Sequence, residues 1–422
     1  MVIEKTALVR FFFVPYRQAI LKSLRGCTNL KLELKISWMA KFFKYLLLCL
    51  SGVFLVGTSI ASDTLGTAGR RPIFQKQLGL VMEKGPMLPK NTEWGQQVGK
   101  TIDFTAIDFR LGFKNIRPNL YNTIYKYPVY GFGYFRTTFR NDYIGKPNAF
   151  YMFGELPIGR TIADDRLSFS VYLAFGFAFN FKPWDPDDNP LNQFIGSYNN
   201  GYVHVASTMS YRLNEWVSLD GSVGLKHFSN GSIQKPNSGL NFVPFSIGIR
   251  TNLNRWDPSQ NTIPEIPEFI PNHQFNTWLT MGGKSYQPGG EQYVKYALGF
   301  NWLRQKGYKF RYGLGTDIFY APMGSMDPNF VKDTFSEKAS LAFVLSGELI
   351  LKPNLFIPLG LGAYVHRNEA NDEPNWYYER IGVKYRFCRN FYSAITLKAH
   401  AFKADIFEFQ LGYTFLRDKN KY

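Results

Sequence analysis

The sequence predicts an all-β protein: an antiparallel transmembrane β-barrel with about eight strands in the N-terminal half and about eight more in the C-terminal half, as tandem barrels or as one wide barrel. Three observations predict it. Segments of roughly ten to sixteen residues alternate large apolar side chains with small or polar ones, the period-two signature of a strand whose two faces meet different surroundings. Aromatic residues make up 17% of the 422 residues and charged residues 19%, one high and the other low for a soluble chain, as a lipid-facing wall with aromatic girdles requires. The mean hydropathy of -0.21 fits such a wall, because a barrel strand shows lipid only every second side chain, whereas a membrane helix needs a long apolar run.

Taken in order, residues 1–38 are basic and irregular, and a second methionine, Met39, opens a segment with the form of a secretory signal. It has Lys41 and Lys44, an apolar core over 45–56, and Ser59-Ile60-Ala61 as a small-x-small cleavage site. The chain is therefore expected to start at Met39, with 1–38 a mis-assigned or unstructured leader, and to be cut after Ala61. Cys49 lacks the preceding small residue of a lipobox, so no lipid anchor is expected. Loss of Cys27 and Cys49 with the leader would leave Cys388 alone, without an intramolecular disulfide.

Eight strands are expected before residue 254, over 75–84, 101–114, 128–139, 146–158, 166–181, 201–213, 215–229 and 241–252. The clearest runs from Leu167 to Phe181, where Leu167, Phe169, Val171, Leu173, Phe175, Phe177, Phe179 and Phe181 share one parity. The second strand loses clean alternation around Ala106 to Asp108, which predicts either a β-bulge or a register other than the one assigned. With both chain ends on the periplasmic side, the turn after each odd strand faces outward. The long 182–200 segment fits that orientation, while the long 115–127 segment falls on the inner side. Residues 254–272 carry four prolines and no alternation and read as a linker.

Strands resume over 273–285, 290–304, 307–321, 337–352, 354–367, 375–387, 390–403 and 405–415. The last ends in alternating Phe407, Phe409, Leu411, Tyr413 and Phe415, in the manner of an outer-membrane assembly signal, which implies the barrel assembly machinery as a partner, and a seven-residue tail follows. Leu111-Gly112-Phe113 recurs as Leu298-Gly299-Phe300 in the second strand of each half, an echo of duplication.

The net charge is +17, but residues 1–61 hold nine Lys/Arg against two Glu, so +10 remains once the leader is gone. No basic helix or nucleic-acid module accompanies it, and nucleic acid is not an expected partner. No zinc spacing and no nucleotide fingerprint occurs. Asp185, Asp187 and Asp188 read as a turn cluster rather than a cation site. His204 and His400 share parity with polar neighbours and are expected in the lumen, His204 as a hydrogen-bonder. His366, Glu369, Asp372 and Glu373 read as solvated loop charge. His273 carries no signal.

Chemistry concentrates between Lys226 and Ile249. His227 and Ser229, two apart on a strand, project from one face and can touch. Their parity collects Val217, Leu219, Val223 and Leu225, the apolar set, while Ser218, Asp220, Ser222, Gly224 and Lys226 occupy the other. Beyond the loop, Asn241 shares its parity with Val243, Phe245, Ile247 and Ile249. A base, a hydroxyl and an amide would thus converge on a greasy surface at outer-leaflet depth.

This stretch resembles the lipid A 3-O-deacylase (PagL) and acyloxyacyl hydrolase family of outer-membrane barrels, whose motif is His-x-Ser-Asn followed by Pro-Asn-x-Gly. The matching residues are His227, Ser229, Asn230, Pro236, Asn237 and Gly239, six positions within 13 residues. The resemblance implies a serine esterase of the Gram-negative outer membrane that removes an ester-linked acyl chain from lipid A or a related glycolipid, without a cofactor. It makes Ser229 the nucleophile and His227 the general base, with Asn230 and Asn237 for positioning and oxyanion stabilisation. Lipopolysaccharide and outer-membrane lipid are the expected partners, surface Lys and Arg suiting its phosphates; homodimerisation stays open. The pattern departs at one place, since the family's third member is a glutamate and Asn241 stands here. An amide can orient the imidazole but cannot offset its charge. The alternatives are a catalytically silent barrel acting as pore or scaffold and, among enzymes, a palmitoyl transferase. The resemblance says little about the second half.

Overall fold

The computed structural model describes residues 73–88, 95–96, 99–163, 165–256, 264–401 and 403–415. The expected leader, signal and C-terminal tail lie outside them. The first barrel runs β1 (Phe74–Pro86), β2 (Asp103–Asn115), a short helix α1 (Leu120–Ile124), β3 (Val129–Thr138), β4 (Gly145–Ile162), β5 (Leu167–Phe181), β6 (Asn200–Arg212), β7 (Val217–Ser229), β8 (Leu240–Phe242) and β9 (Phe245–Asn252). Neighbours in sequence pair antiparallel, and β9 returns to β1. β8 and β9 together form the eighth strand: both pair with β7 in one unbroken register, His227 opposite Asn241 and Val223 opposite Phe245. Pro244 between them has no N–H to give the ladder, so hydrogen bonding pauses while alignment continues.

The second barrel runs β10 (Asn272–Ser285), β11 (Gln292–Gln305), β12 (Phe310–Tyr320), α2 (Phe335–Lys338), β13 (Ala339–Lys352), β14 (Leu355–His366), β15 (Tyr377–Arg386), β16 (Phe391–His400) and β17 (Lys403–Thr414), with β17 closing on β10. Of the two arrangements the alternation allowed, the chain adopts tandem barrels rather than one wide one. Each half carries enough strands to satisfy its own edge groups, and closure removes any reason to merge.

The expected bulge in β2 is absent. Its registers with β1 and β3 are continuous; Phe104, Ala106 and Asp108 point inward and are buried, while Ile107 and Phe109 point outward and are exposed. The alternation looked broken because the lumen here takes apolar residues. Phe104, Phe135, Phe139, Phe181, Phe228 and Phe242 pack together inside the half of the first barrel nearer the β7–β8 loop. Below them Lys226 pairs with Glu83, Arg110 with Asp108 at 2.8 Å, and Arg250 with Glu155 and Asp220 at 3.0 and 2.9 Å. The second lumen holds Arg380 between Asp317 and Glu408, and Glu348 between Arg311 and Lys384. Charges this deep persist because each is paired, and side chains fill both cylinders as small barrels require.

The outward faces are apolar, with Met82, Ile247, Leu279, Leu314 and Phe343 more than half exposed. Together with closed rings of strands, this is the wall of a transmembrane barrel of outer-membrane type. Among the described residues no helix is long and apolar enough to cross a membrane; the strands do so. The long inner segment after β2 has a structural role. Asn119 caps α1 by accepting from the Asn122 N–H at 2.9 Å, and Tyr121 and Tyr125 pack on Ile350 and Phe356 of the second barrel. The Tyr125 hydroxyl donates to the Ile350 carbonyl at 2.6 Å, so α1 ties the two barrels at the end opposite the β7–β8 loop.

Candidate active site

β7 ends in His227 and Ser229 at one rim of the barrel. Leu219, Val223 and Leu225 on their parity are exposed to the outside, while Lys226 on the other is sealed in the lumen. Across the ladder Asn241 stands directly opposite His227. The imidazole bridges the other two: Nδ1 lies 2.5 Å from Asn241 Oδ1 and Nε2 lies 2.8 Å from Ser229 Oγ. An amide oxygen only accepts, so Nδ1 carries the ring proton and donates it to Asn241. Nε2 is then bare and accepts from the Ser229 hydroxyl, the tautomer a general base needs.

The two asparagines of the loop separate by their hydrogen bonds. Asn230 is fully committed to shaping the turn: its backbone N–H donates to Asn237 Oδ1 at 3.1 Å, and Nδ2 donates to Ser197 Oγ and the Gln234 carbonyl, both at 2.8 Å. Asn237 accepts with its oxygen, but its Nδ2, buried in a residue only 5% exposed, has no partner among the described residues. A buried donor left without an acceptor costs about 1–3 kcal/mol, an arrangement that favours an incoming oxyanion. Gly239 closes the loop over the imidazole. Its φ is +69° and a Cβ there would stand 2.9 Å from His227 Cε1, so neither the backbone nor the space admits another residue.

The long β5–β6 connection supplies a supporting layer that the sequence did not disclose. Asn192 Nδ2 donates to the Lys182 and Tyr143 carbonyls at 2.7 and 3.0 Å while its oxygen accepts from the N–H groups of Phe194 and Ile195. The Phe194 carbonyl so placed accepts from the Gly239 N–H at 3.0 Å. The second barrel also reaches the site loop. Ser232 Oγ donates to the Ala404 carbonyl at 3.1 Å, its carbonyl accepts from the Ser285 N–H at 2.8 Å, and Lys235 pairs with Asp372 at 2.9 Å. Burial alone would raise the Asp372 carboxyl, but Lys284 and Lys235 hold it at about 2.

The remaining candidates sort as follows. Asp185 accepts from the N–H groups of Asp187 and Asp188, both at 2.9 Å, and those bonds, Asp188 first, lower its carboxyl below the ordinary range. It is a turn, and no cluster of metal-ligating side chains occurs among the described residues. His204 is in the lumen, but neither ring nitrogen has a hydrogen-bond partner there; the ring packs against Tyr172 instead. His400 lies in the second lumen on Tyr364 Oη at 3.1 Å. His366 bonds the Ser336 carbonyl at 2.9 Å. Asp372 and Glu373 are not solvated loop charges as expected. Glu373 is fully buried against Lys295 and Ser340, and Asp372 serves two lysines, because this loop folds back over the mouth of the second barrel.

Two family profiles match the chain: lipid A 3-O-deacylase (PagL) over residues 161–250, which spans the site, and the C-terminal domain of acyloxyacyl hydrolase over residues 273–419, which spans the second barrel. Together they cover more than half of it. No curated protein matches. A comparison with solved structures finds matches of low similarity. They include an outer membrane channel from Pseudomonas putida F1 (14% identity, 83% of this chain and 98% of that one, TM-score 0.17) and Omp33 from Acinetobacter baumannii (8% identity, 82% and 98%, TM-score 0.16). A third is the β domain of the Bordetella autotransporter BrkA (9% identity, 81% and 98%, TM-score 0.21). At these scores they carry no argument.

Proposed function

Because the chain belongs to the lipid A 3-O-deacylase (PagL) and acyloxyacyl hydrolase family, we propose that it is a serine esterase of the Gram-negative outer membrane that releases a fatty acyl chain from lipid A or a related glycolipid. The observation that carries this reading is the Asn241–His227–Ser229 relay on the outward, apolar face of the outer rim. An acyl chain in the outer leaflet lies against that face.

Ser229 Oγ attacks the ester carbonyl while His227 Nε2 takes its proton. The tetrahedral oxyanion meets Asn237 Nδ2, a donor that makes no other bond. Collapse expels the sugar hydroxyl, which leaves with the proton held on Nε2. Water, deprotonated by the same nitrogen, then attacks the acyl-enzyme and frees the fatty acid. Asn241 keeps the ring in the useful tautomer throughout but leaves the transient imidazolium without a counter-charge. Asn230 acts on the loop and touches no reacting atom.

Ser229→Ala tests the reading. The variant should fold, and cells carrying it should show lipid A of unaltered mass, whereas cells with the native chain should show lipid A lighter by one acyl group and release the free acid. Identical lipid A mass spectra from cells with and without the native protein would remove the proposal. Appearance of phospholipid-derived label on the glycolipid would point instead to acyl transfer. The pore reading loses ground to the filled lumens, and the scaffold reading keeps only the missing glutamate.

A further inference from the structure

The connection between β14 and β15 folds across the mouth of the second barrel, and the charges beneath it do not balance. Asp372 lies between Lys235 and Lys284 at 2.9 and 3.0 Å, Asp405 takes Lys284 again and Lys398 at 3.1 Å, and Glu373 faces Lys295 at 3.4 Å. Arg380, opposite Lys398 on the β15–β16 ladder, is shared by Asp317 and Glu408. Lys332, from the connection between β12 and α2, is buried but has no carboxylate partner among the described residues; its Nζ donates to the Ala321 carbonyl at 3.0 Å. Six Lys and Arg side chains thus meet five carboxylates, and one positive charge is left over. Burial, with Lys295 near it, lowers the Lys332 ammonium only to about 8, so it is charged at neutral pH. A donor beside it is also unmet. Lys332 Nζ stands 5.5 Å and Lys284 Nζ 5.7 Å from the centre of the Tyr286 ring, whose hydroxyl is buried without an acceptor among the described residues. Burial holds that phenol above its ordinary value against the pull of Lys295 and Lys284, so it keeps its proton.

A buried cation without a counter-charge and a buried hydroxyl without an acceptor lack the same thing, a negative ion. We propose that the mouth of the second barrel is a halide site: one monovalent anion of chloride size sits between the Lys332 ammonium and the Tyr286 hydroxyl, with Lys295 close by. A single negative charge is what the pairing leaves to be filled. The small size follows from burial. Lys332, Tyr286 and Lys295 are 9%, 2% and 4% exposed, which leaves no opening for a phosphate ester or a glycolipid headgroup. The anion balances the lysines that crowd Asp372, the carboxylate that also holds Lys235 of the site loop. It takes no part in hydrolysis, and the proposal does not rest on the esterase reading of Ser229.

Crystals of the full-length protein soaked in sodium bromide test this directly. An anomalous difference peak should appear between Lys332 Nζ and Tyr286 Oη, and a bromide-soaked crystal without one there overturns the proposal. In detergent micelles at constant ionic strength, replacing gluconate with chloride should raise the folded-to-unfolded ratio about 100-fold once chloride reaches about 100 times its dissociation constant. Tyr286→Phe removes the donor and should weaken chloride about tenfold. In gluconate the same variant should be no less stable than the native chain, because an unmet buried hydroxyl goes with the substitution. Lys332→Met should abolish the chloride response. Heat-modifiable gel mobility reports the folding of each variant, and Tyr286→Phe carries the solution test if Lys332→Met does not fold. Equal denaturant midpoints in chloride and gluconate overturn the site, and so does a chloride response in folded Tyr286→Phe as strong as the native one.

Discussion

Replacing Asn241 with glutamate restores the carboxylate that the family places in the relay, and its effect can be worked from the site geometry. With Asn241 Oδ1 2.5 Å from His227 Nδ1, a carboxylate there would put its charge about 4 Å from the centre of the imidazolium that forms as Ser229 attacks. At an effective dielectric of about 20 that attraction is about 4 kcal/mol. The carboxylate must itself leave water for a half-buried, lipid-facing position, and taking roughly half the attraction as the loss leaves about 2 kcal/mol in the transition state. That is about a 30-fold rise in kcat. Asn241→Ala works in the opposite direction. It removes the acceptor that holds the proton on Nδ1, frees the other tautomer and should lower kcat by on the order of 10- to 100-fold. Both variants would be assayed for release of 3-hydroxy fatty acid from purified glycolipid in micelles, with folding checked by gel mobility. An Asn241→Ala enzyme as active as the native one, alongside no gain from Asn241→Glu, would refute the argument that this position orients the base.

Three further outcomes follow from particular contacts. Asn237→Ala should lower kcat by on the order of 10² with KM little changed, as loss of an oxyanion donor does, whereas Asn230→Ala should lower the unfolding temperature of the loop region and affect kcat and KM together; identical kinetics for the two would contradict the division drawn from their hydrogen bonds. The Asp372 carboxyl is depressed from 3.8 to about 2 by Lys284 and Lys235 after burial is counted against it. Its stabilisation is thus complete above about pH 4 and lost only as pH falls toward 2, so activity should show no loss attributable to this clamp between pH 5 and 8. Asp372→Asn should lower activity by a pH-independent factor, and a slope in that interval that vanishes in the variant would count against it. Tyr125→Phe removes the bond to Ile350 and should cost about 1 kcal/mol of stability, read as a lower denaturant midpoint, while leaving the Ser229 rim unaltered.

Much of this architecture was written in the alternation itself. Leu167 to Phe181 announces one lipid face and one packed face, and the sixteen expected strands all occur, the eighth interrupted by Pro244. The side-by-side placement of His227 and Ser229 followed from parity, and the opposition of Asn241 from the register that the hairpin and the greasy face together impose. What stayed hidden depends on partners far along the chain. β2 seemed bulged because parity cannot say that the lumen is aromatic at Phe104 and charged at Asp108. His204 looked like a hydrogen-bonder because polarity of neighbours in sequence does not reveal that Tyr172 lies across it. Asp372 looked solvated because Lys235 and Lys284 are more than 80 residues away. Phe407 read only as one of four aromatics alternating around Leu411, since nothing local marks Gly201 as its neighbour.

The tandem arrangement raises the question of what holds one closed barrel against another. Each ring satisfies its own ladder, so the backbone bonds between them are confined to loop contacts such as the Lys235–Pro288 bridge, and two apolar walls in lipid gain nothing from water when they meet. Specific contacts must therefore fix the relative position, and they occur at two heights: Ser232, Lys235 and Phe407 at the outer end, Tyr121 and Tyr125 at the inner end. A single attachment would act as a pivot and let the two walls swing against each other. Two attachments at opposite ends of the wall remove that freedom. Loosening the inner attachment alone should therefore cost stability and leave turnover at the Ser229 rim in place, because the Ser232 and Lys235 contacts still hold the site loop. Combining Tyr121→Ala with Tyr125→Ala asks for that pattern, read as a lower denaturant midpoint with unchanged release of fatty acid, and a loss of turnover in the folded variant would mean that the inner contact also sets the geometry of the Ser229 rim.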